Sequence, residues 1–208
     1  MATMNRWWIA ALATSTLAQT QPLAQWNFDK DSPSDRVSGL YRLVRAMVGG
    51  SLQFDGYTTH ILQPAQQVRA ITGGFTIEAW LALNAYPWNW VPIVDCQRDM
   101  QAGYLFGIDA YGRLGMHAAI GGSWHVVSSA AKIPLKRWTH VAASFDPGRG
   151  IALYVDGKPV GELAAAGALS APERTDLLIG RVGSPMLPVP SGLIHPNMRS
   201  TTRSKAAR

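Results

Sequence analysis

The chain has 208 residues, of which 19 are lysine or arginine and 13 are aspartate or glutamate, so its formal net charge is +6. Five of the cations lie near the two ends of the chain: Arg6, Arg199, Arg203, Lys205 and Arg208. The remainder is close to neutral, which excludes the broad basic groove of a nucleic-acid-binding protein. The length is enough for one domain with its own core.

The first 18 residues have the pattern of a secretory signal peptide. Asn5 and Arg6 form a short positive region, an apolar run follows from Trp7 to Leu17, and small residues around Ala18 suit a cleavage site. The alternatives are a buried strand or a short anchor helix, although the run is shorter than the about 20 apolar residues that span a bilayer. The sequence therefore predicts a secreted or periplasmic protein with no membrane attachment after cleavage.

Residues 23–184 are predicted to form one domain of short strands. The strands recur at roughly ten-residue spacing with glycine-rich turns between them, as in a sandwich or jelly roll. Leu40–Val48 fits either an irregular strand or a short helix, and no longer helix is predicted. The predicted strands are Leu23–Phe28, Ser51–Phe54, Phe75–Leu83, Val91–Asp95, Tyr104–Asp109, Leu114–Ala119, Trp124–Ser128, Trp138–Phe145, Ile151–Val155 and Pro159–Leu163.

Two of these strands have informative alternation. In Trp138–Phe145 the residues at odd positions, from Thr139 to Phe145, share one face of the strand, because side chains alternate with period two. Asp156-Gly157 has the composition of a tight hairpin turn between two later strands. In Phe75–Leu83 both faces are substantially apolar, which predicts a strand packed between two layers.

Five segments resemble, in the same order, the concanavalin A-like jelly-roll domains of the laminin G-like group. They are Trp26–Asp29, Ser51–Gly56, Phe75–Trp80, the pair WTHVAASFD and LYVDGKPVG within 138–161, and Leu178–Arg181. The resemblance covers about residues 24–182 and implies an all-β, concanavalin A-like jelly-roll β-sandwich. This fold serves binding, catalytic and packing roles alike, so the resemblance alone does not give a function.

The composition changes at Pro185. Residues 185–208 contain four prolines and no acidic residue, and Gly192–Ile194 is followed by His195-Pro196 and a basic end. The resembling domains close with one more strand, so we expect a sandwich that lacks its last strand. The segment is either a disordered basic tail or a truncated or frame-shifted end. In either case we expect the chain to be the front end of what was, or is, a longer protein, and a downstream catalytic domain is the partner that this hypothesis suggests.

The sequence predicts no catalytic residues in this chain. Glycoside hydrolysis on this fold needs two carboxylates within several ångströms of each other. Glu78, beside Trp80, is the best single candidate, but it has no carboxylate two or four residues away on its strand.

The single cysteine, Cys96, permits no internal disulfide and is expected to be buried. An exported chain without disulfides is typical of a bacterial protein.

A calcium site near the ends of the first strands is a further prediction. Asp29 and Asp55 are the expected ligands, since Ca²⁺ prefers carboxylate and loop oxygens, and the resembling domains often hold Ca²⁺ near these strand ends. The alternative is that both residues simply form turns. The five histidines have no zinc-binding spacing.

The strongest binding candidates are aromatic. Tyr86, Trp88 and Trp90 alternate in a proline-containing segment, and Trp124 follows a Gly-Gly turn. Aromatic rings stack on the apolar faces of sugars, and exposed aromatic clusters mark binding sites, although the same rings could plug the edge of the sandwich. The sequence therefore predicts a secreted, non-catalytic, carbohydrate-binding accessory module, of a kind that the resemblance associates with glycoside hydrolases. The alternatives are a structural or protein-interaction module and a degenerate glycosidase.

Overall fold

A computed structural model describes residues 22–29 and 37–183 of the chain. The predicted signal peptide and the segment 185–208 lie outside the described residues, so both stay predictions. The strands of the described part are β1 Val37–Ser38, β2 Arg42–Arg45, β3 Gly50–Gln53, β4 His60–Gln63, β5 Phe75–Leu81, β6 Val91–Arg98, β7 Ala102–Ile108, β8 Arg113–Ile120, β9 Ser123–Lys132, β10 Thr139–Asp146, β11 Gly150–Val155, β12 Lys158–Leu163 and β13 Leu177–Ile179.

These strands form two large antiparallel sheets. The first has seven strands in the order β1-β4-β13-β6-β7-β8-β9, and the second has four in the order β12-β11-β10-β5. The hairpin of β2 and β3 is separate. The only helix in the described ranges is a single 3₁₀ turn at Ala65–Gln67, and no helix there is long and apolar enough to cross a membrane. The all-β sandwich expected from the sequence is confirmed.

The core lies between the two sheets. Phe106 and Met116 from the seven-stranded sheet and Val141 and Leu153 from the four-stranded sheet belong to one cluster of fully buried side chains. In β10, Thr139, Val141, Ala143 and Phe145 are all buried, as the alternation of the sequence predicts. Full burial of each large apolar side chain stabilises the fold by about 1.5–3 kcal/mol.

The hairpin between β11 and β12 also forms as expected. Asp156 and Gly157 both have positive φ angles, 49° and 75°, which suit a two-residue turn between right-twisted strands. The Asp156 carboxylate accepts a hydrogen bond from the His140 N–H at 3.1 Å and forms an ion pair with Arg137. The turn is thereby fixed to the beginning of β10.

The prediction that both faces of β5 are covered is wrong. Phe75, Ile77 and their alternate neighbours pack against the core, whereas the other face is open and Trp80 is 55% exposed. β5 pairs with β10 alone among the described strands and lies at the end of its sheet. The Trp80 ring lies beside that of His140 instead, with 5.3 Å between the ring centroids. The apolar composition of β5 predicted a second layer over its outer face, and the described residues contain no such layer.

Other differences concern short segments. Leu23–Phe28 is not a strand, although Trp26 packs against the core. Leu40–Val48 contains β2, so its strand reading is confirmed. The sequence analysis missed β4, because four residues with polar ends give too little periodicity. β4 is ordered by its neighbours β1 and β13, with which it pairs.

Candidate functional site

A surface cleft of about 320 Å³ brings together residues from three distant parts of the chain. Trp88, Asn89 and Trp90 come from the loop before β6, Tyr57 from the turn after β3, and Arg181 from the segment after β13. Tyr57 is 89% and Trp88 78% exposed. Such exposure of two large rings in one concave site is unusual for residues that serve only packing.

The turn that carries Tyr57 is organised by Asp55. Its Oδ1 accepts hydrogen bonds from the backbone N–H groups of Tyr57, Thr58 and Thr59 at 3.0, 2.9 and 2.8 Å. Its Oδ2 accepts one from the Thr58 hydroxyl at 2.5 Å. The Thr58 hydroxyl and the backbone donors hold the pKa of Asp55 well below its usual range. The carboxylate therefore fixes the backbone of the turn that carries Tyr57, while the Tyr57 side chain stays exposed.

Arg181 is positioned by the glycine before it. The Gly180 N–H donates to the Pro92 carbonyl at 3.1 Å, at the beginning of β6. Gly180 has a φ of 80°, and a Cβ there would lie 2.5 Å from the Phe54 ring, so glycine is required both by the backbone conformation and by the close approach. The backbone at Arg181 is thus held beside the loop before β6 that contains Tyr86, Trp88 and Trp90, which we call the aromatic loop.

Asn89 contributes an amide group to the cleft. Its Oδ1 accepts a hydrogen bond from the Trp90 N–H at 2.8 Å. Its Nδ2 makes no hydrogen bond to any part of the chain that the structure describes. The amide nitrogen is therefore available as a donor to a ligand.

Tyr86, predicted as a binding residue, makes intramolecular contacts. Its hydroxyl donates a hydrogen bond to the Ile133 carbonyl at 3.0 Å. Its ring lies so close to Gly112 that a Cβ there would be 2.3 Å away, and the Lys132 Nζ lies 5.3 Å from the ring centroid. These contacts anchor the base of the aromatic loop.

Trp90 and Trp124 flank a buried histidine on the outer face of the seven-stranded sheet. The His117 ring centroid lies 4.4 Å from that of Trp90 and 6.0 Å from that of Trp124, both in edge-on arrangements. His117 is 3% exposed, and neither ring nitrogen has a hydrogen-bond partner in the described structure. Burial lowers the pKa of His117 to about 4. Trp90 thus forms a wall of the cleft on one side and contacts His117 on the other.

The structure brings Trp88 and Trp90 to the cleft, but Tyr86 and Trp124 do not line it. Tyr57 and Arg181 were missed by the sequence analysis. The Asp55-Gly56 turn signals an exposed residue at position 57, but no local pattern distinguishes Arg181 from other surface arginines. Their proximity to Trp88 follows from long-range strand pairing.

The calcium prediction stays a prediction. The Asp29 carboxylate accepts a hydrogen bond from the Gly50 N–H at 2.8 Å, and that bond lowers its pKa. Asp29 and Asp55 therefore both bind backbone donors, as turn-forming aspartates do. In residues 22–29 and 37–183, no group of three or more histidine, cysteine or acidic side chains could hold a metal ion.

The two candidate reactive residues lie outside the cleft. Glu78 is on the exposed face of β5, where its Oε2 is 3.3 Å from the His140 Nε2. Cys96 is buried, and burial is the main cause that raises the pKa of its thiol to about 12. No acidic side chain is among the described residues that line the cleft.

Comparisons with known proteins agree with this fold. The chain is similar to domain 4 of the extracellular arabinanase AbnA from Geobacillus stearothermophilus, solved with arabinotriose (TM-score 0.52, 14% identity, 68% of this chain and 66% of that one). It is also similar to the binding domain of botulinum neurotoxin DC, solved in complex with SialylT (TM-score 0.52, 14% identity, 70% of this chain and 38% of that one). The chain thus spans less than two thirds of each of these structures, and at such identities the likeness is one of fold.

No curated protein sequence matches the chain. A family model, however, matches residues 55–191, which is more than half of the chain. This model describes the laminin G-like domains of the concanavalin A-like lectin/glucanases superfamily. The protein is therefore a concanavalin A-like jelly-roll β-sandwich and belongs to that superfamily.

Proposed function

We propose that this protein is a secreted, non-catalytic carbohydrate-recognition module and that its cleft binds a sugar ring. The observation that carries the proposal is the pairing of two largely exposed rings, Tyr57 and Trp88, with the polar groups of Asn89 and Arg181 in one concave site. Aromatic faces suit the apolar C–H face of a pyranose. The amide and guanidinium groups suit its hydroxyls, as in other ligand sites with few, well-placed polar groups.

The same features predict a modest affinity. Covering about half of the Trp88 side chain removes roughly 100 Å² of apolar surface from water. At about 25 cal/mol per Å² this contributes about 2.5 kcal/mol, to which a few hydrogen bonds add. Part of this gain is offset by the ordering of exposed side chains. We therefore expect dissociation constants between micromolar and millimolar for a short oligosaccharide.

Recognition fits this cleft better than hydrolysis does. Hydrolysis by the usual mechanism needs two carboxyl groups across the scissile bond, and the described lining of the cleft contains none. The solved structures of similar fold include an arabinanase domain with arabinotriose and a neurotoxin binding domain with SialylT. Together with the predicted signal peptide, these neighbours favour an exported accessory module over a degenerate glycosidase.

The test is a glycan array, followed by calorimetry of the full chain with the best ligand. Trp88→Ala and Tyr57→Ala should each weaken binding at least about tenfold, because each removes an exposed stacking face. Trp80→Ala is the matched control, since Trp80 is also exposed but lies on the four-stranded sheet. A folded protein that binds no glycan would favour the structural or protein-interaction role. Equal losses for the Trp88 and Trp80 variants would place the sugar site elsewhere.

A further inference from the structure

We infer that the sugar recognised in this cleft carries a carboxylate, and that Arg181 is the residue that binds it. The inference rests on the proposed function, because it specifies the ligand of the same site. It concerns the class of sugar, a pyranose acid such as a uronate, which the fold alone does not determine.

Arg181 carries a positive charge that no described residue pairs with. Its side chain is exposed and makes no hydrogen bond or ion pair to any described residue. Two other arginines of the domain are paired, Arg113 with Asp109 and Arg137 with Asp156. Arg181 lines the cleft and its guanidinium has no partner in the described structure, so this group is available to a ligand.

The other described residues that line the cleft are uncharged. Among the described residues that line the cleft, Arg181 is cationic and none is acidic. The nearby turn contains Asp55, but both of its oxygens accept hydrogen bonds within that turn. The described lining of the cleft therefore contains a positive group and no negative one, which favours an anionic ligand over a neutral one.

A carboxylated pyranose fits the groups that this cleft offers. A guanidinium presents parallel N–H donors that match the two oxygens of a planar carboxylate. In a pyranose acid the carboxylate projects from the edge of the ring. The ring face can then stack on Trp88 or Tyr57 while its edge meets Arg181 and its hydroxyls meet the Asn89 amide. Because the backbone at Arg181 is fixed through Gly180, this arrangement needs little rearrangement of the chain.

The experiment compares matched ligands by calorimetry on the full chain. The probes are a galacturonate oligosaccharide, the same oligosaccharide after reduction of its carboxyl groups to alcohols, a sialylated trisaccharide and a sulfated oligosaccharide. We expect the wild-type protein to bind a carboxylated probe roughly tenfold more tightly than the reduced one, as for a hydrogen bond to a charged group. The galacturonate and sialylated probes distinguish a uronate from a terminal sugar acid as the source of the carboxylate.

Arg181→Gln should abolish this preference, because it weakens binding of the carboxylated oligosaccharide much more than binding of the reduced one, and Arg181→Lys should keep only part of it. Arg149→Gln is the control, because it removes the same charge from an exposed position on the β10–β11 hairpin. Circular dichroism verifies that each variant is folded.

The outcomes are distinguishable. Equal affinity for the acid and its reduced form, with both lost in Trp88→Ala, would overturn the inference and leave the proposed function standing. A preference for the acid that persists in Arg181→Gln, or a stronger preference for the sulfated probe, would also overturn it. If no probe and no glycan on the array binds, the proposed function fails, and the inference fails with it.

Discussion

The buried His117 makes a quantitative prediction about stability and pH. In the unfolded chain a histidine has a pKa near 6.5, whereas burial lowers that of His117 to about 4 in the folded protein. Between these values the unfolded state binds the additional proton, so stability falls as the pH falls from 6.5 to 4. A shift of about 2.5 pKa units corresponds to about 3 kcal/mol, which is fully lost below pH 4.

Asp95, on the same sheet, has the opposite effect. Burial raises its pKa to about 6, against hydrogen bonds from the Gly183 and Gln97 N–H groups that lower it. The folded state then binds the additional proton between pH 3.8 and 6. Protonated Asp95 thus contributes about 3 kcal/mol to the free energy of unfolding at low pH, and this contribution is lost as the pH rises through 6. In the wild-type protein the two contributions nearly cancel between pH 4 and 6.

Single variants should separate the pH dependence of stability that each of the two residues causes. His117→Phe removes the acid-sensitive group, so its stability should increase as the pH falls from 6 to 4. Asp95→Asn should instead lose stability over that range. At pH 7, His117→Phe should be at least as stable as the wild type, because it removes two buried nitrogens without hydrogen-bond partners. His117→Leu controls for the size of the new ring.

The assay is urea unfolding followed by circular dichroism at half-unit pH intervals from 4 to 8. If the curves of stability against pH for His117→Phe and the wild type were parallel, the unfavourable burial of the imidazole would be refuted. Parallel curves for Asp95→Asn and the wild type would refute only the prediction that burial raises the pKa of Asp95.

Two further predictions concern the cleft wall and the thiol. Asp55→Ala should lower the melting temperature and weaken glycan binding, because the turn that carries Tyr57 loses its hydrogen-bond acceptor. Asp55→Asn keeps one acceptor oxygen and should therefore lose less thermal stability and less affinity. Unchanged binding in Asp55→Ala would show that the Tyr57 side of the cleft does not depend on this turn. Cys96 should not react with a thiol reagent in the folded protein, because it is buried and burial raises the pKa of its thiol to about 12. It should react once the protein is unfolded in urea. Labelling at the same rate in both states would contradict its position in the core.

The alternation of β10 and the Asp-Gly turn were sufficient to predict the central hairpins, because both depend on local backbone geometry. The exposure of Trp80 was not predictable in the same way. Period two shows which residues share a face of β5, but not whether another layer covers that face.

The residues of the cleft likewise fall into those that local sequence could place together and those that it could not. Trp88 and Trp90 are close in sequence, so their proximity was evident from the alternation within one loop. Tyr57 and Arg181 join them only because β13 pairs with both β4 and β6. Those long-range pairings have no signature within either short strand. The structure was therefore needed to assemble the cleft and to exclude Trp124 from its described lining.

The position of Trp90 between the cleft and the sheet has a consequence for the thermodynamics of recognition. Its ring is held against Gly115 and His117, so a ligand that contacts it need not restrict a mobile side chain. Tyr57 and Trp88 are largely exposed, and ordering each costs about 0.5–1.5 kcal/mol. The cleft thus combines one preorganised wall with two adaptable ones. Discrimination between similar sugars should depend on the rigid side, while the adaptable rings accommodate ligands of different length.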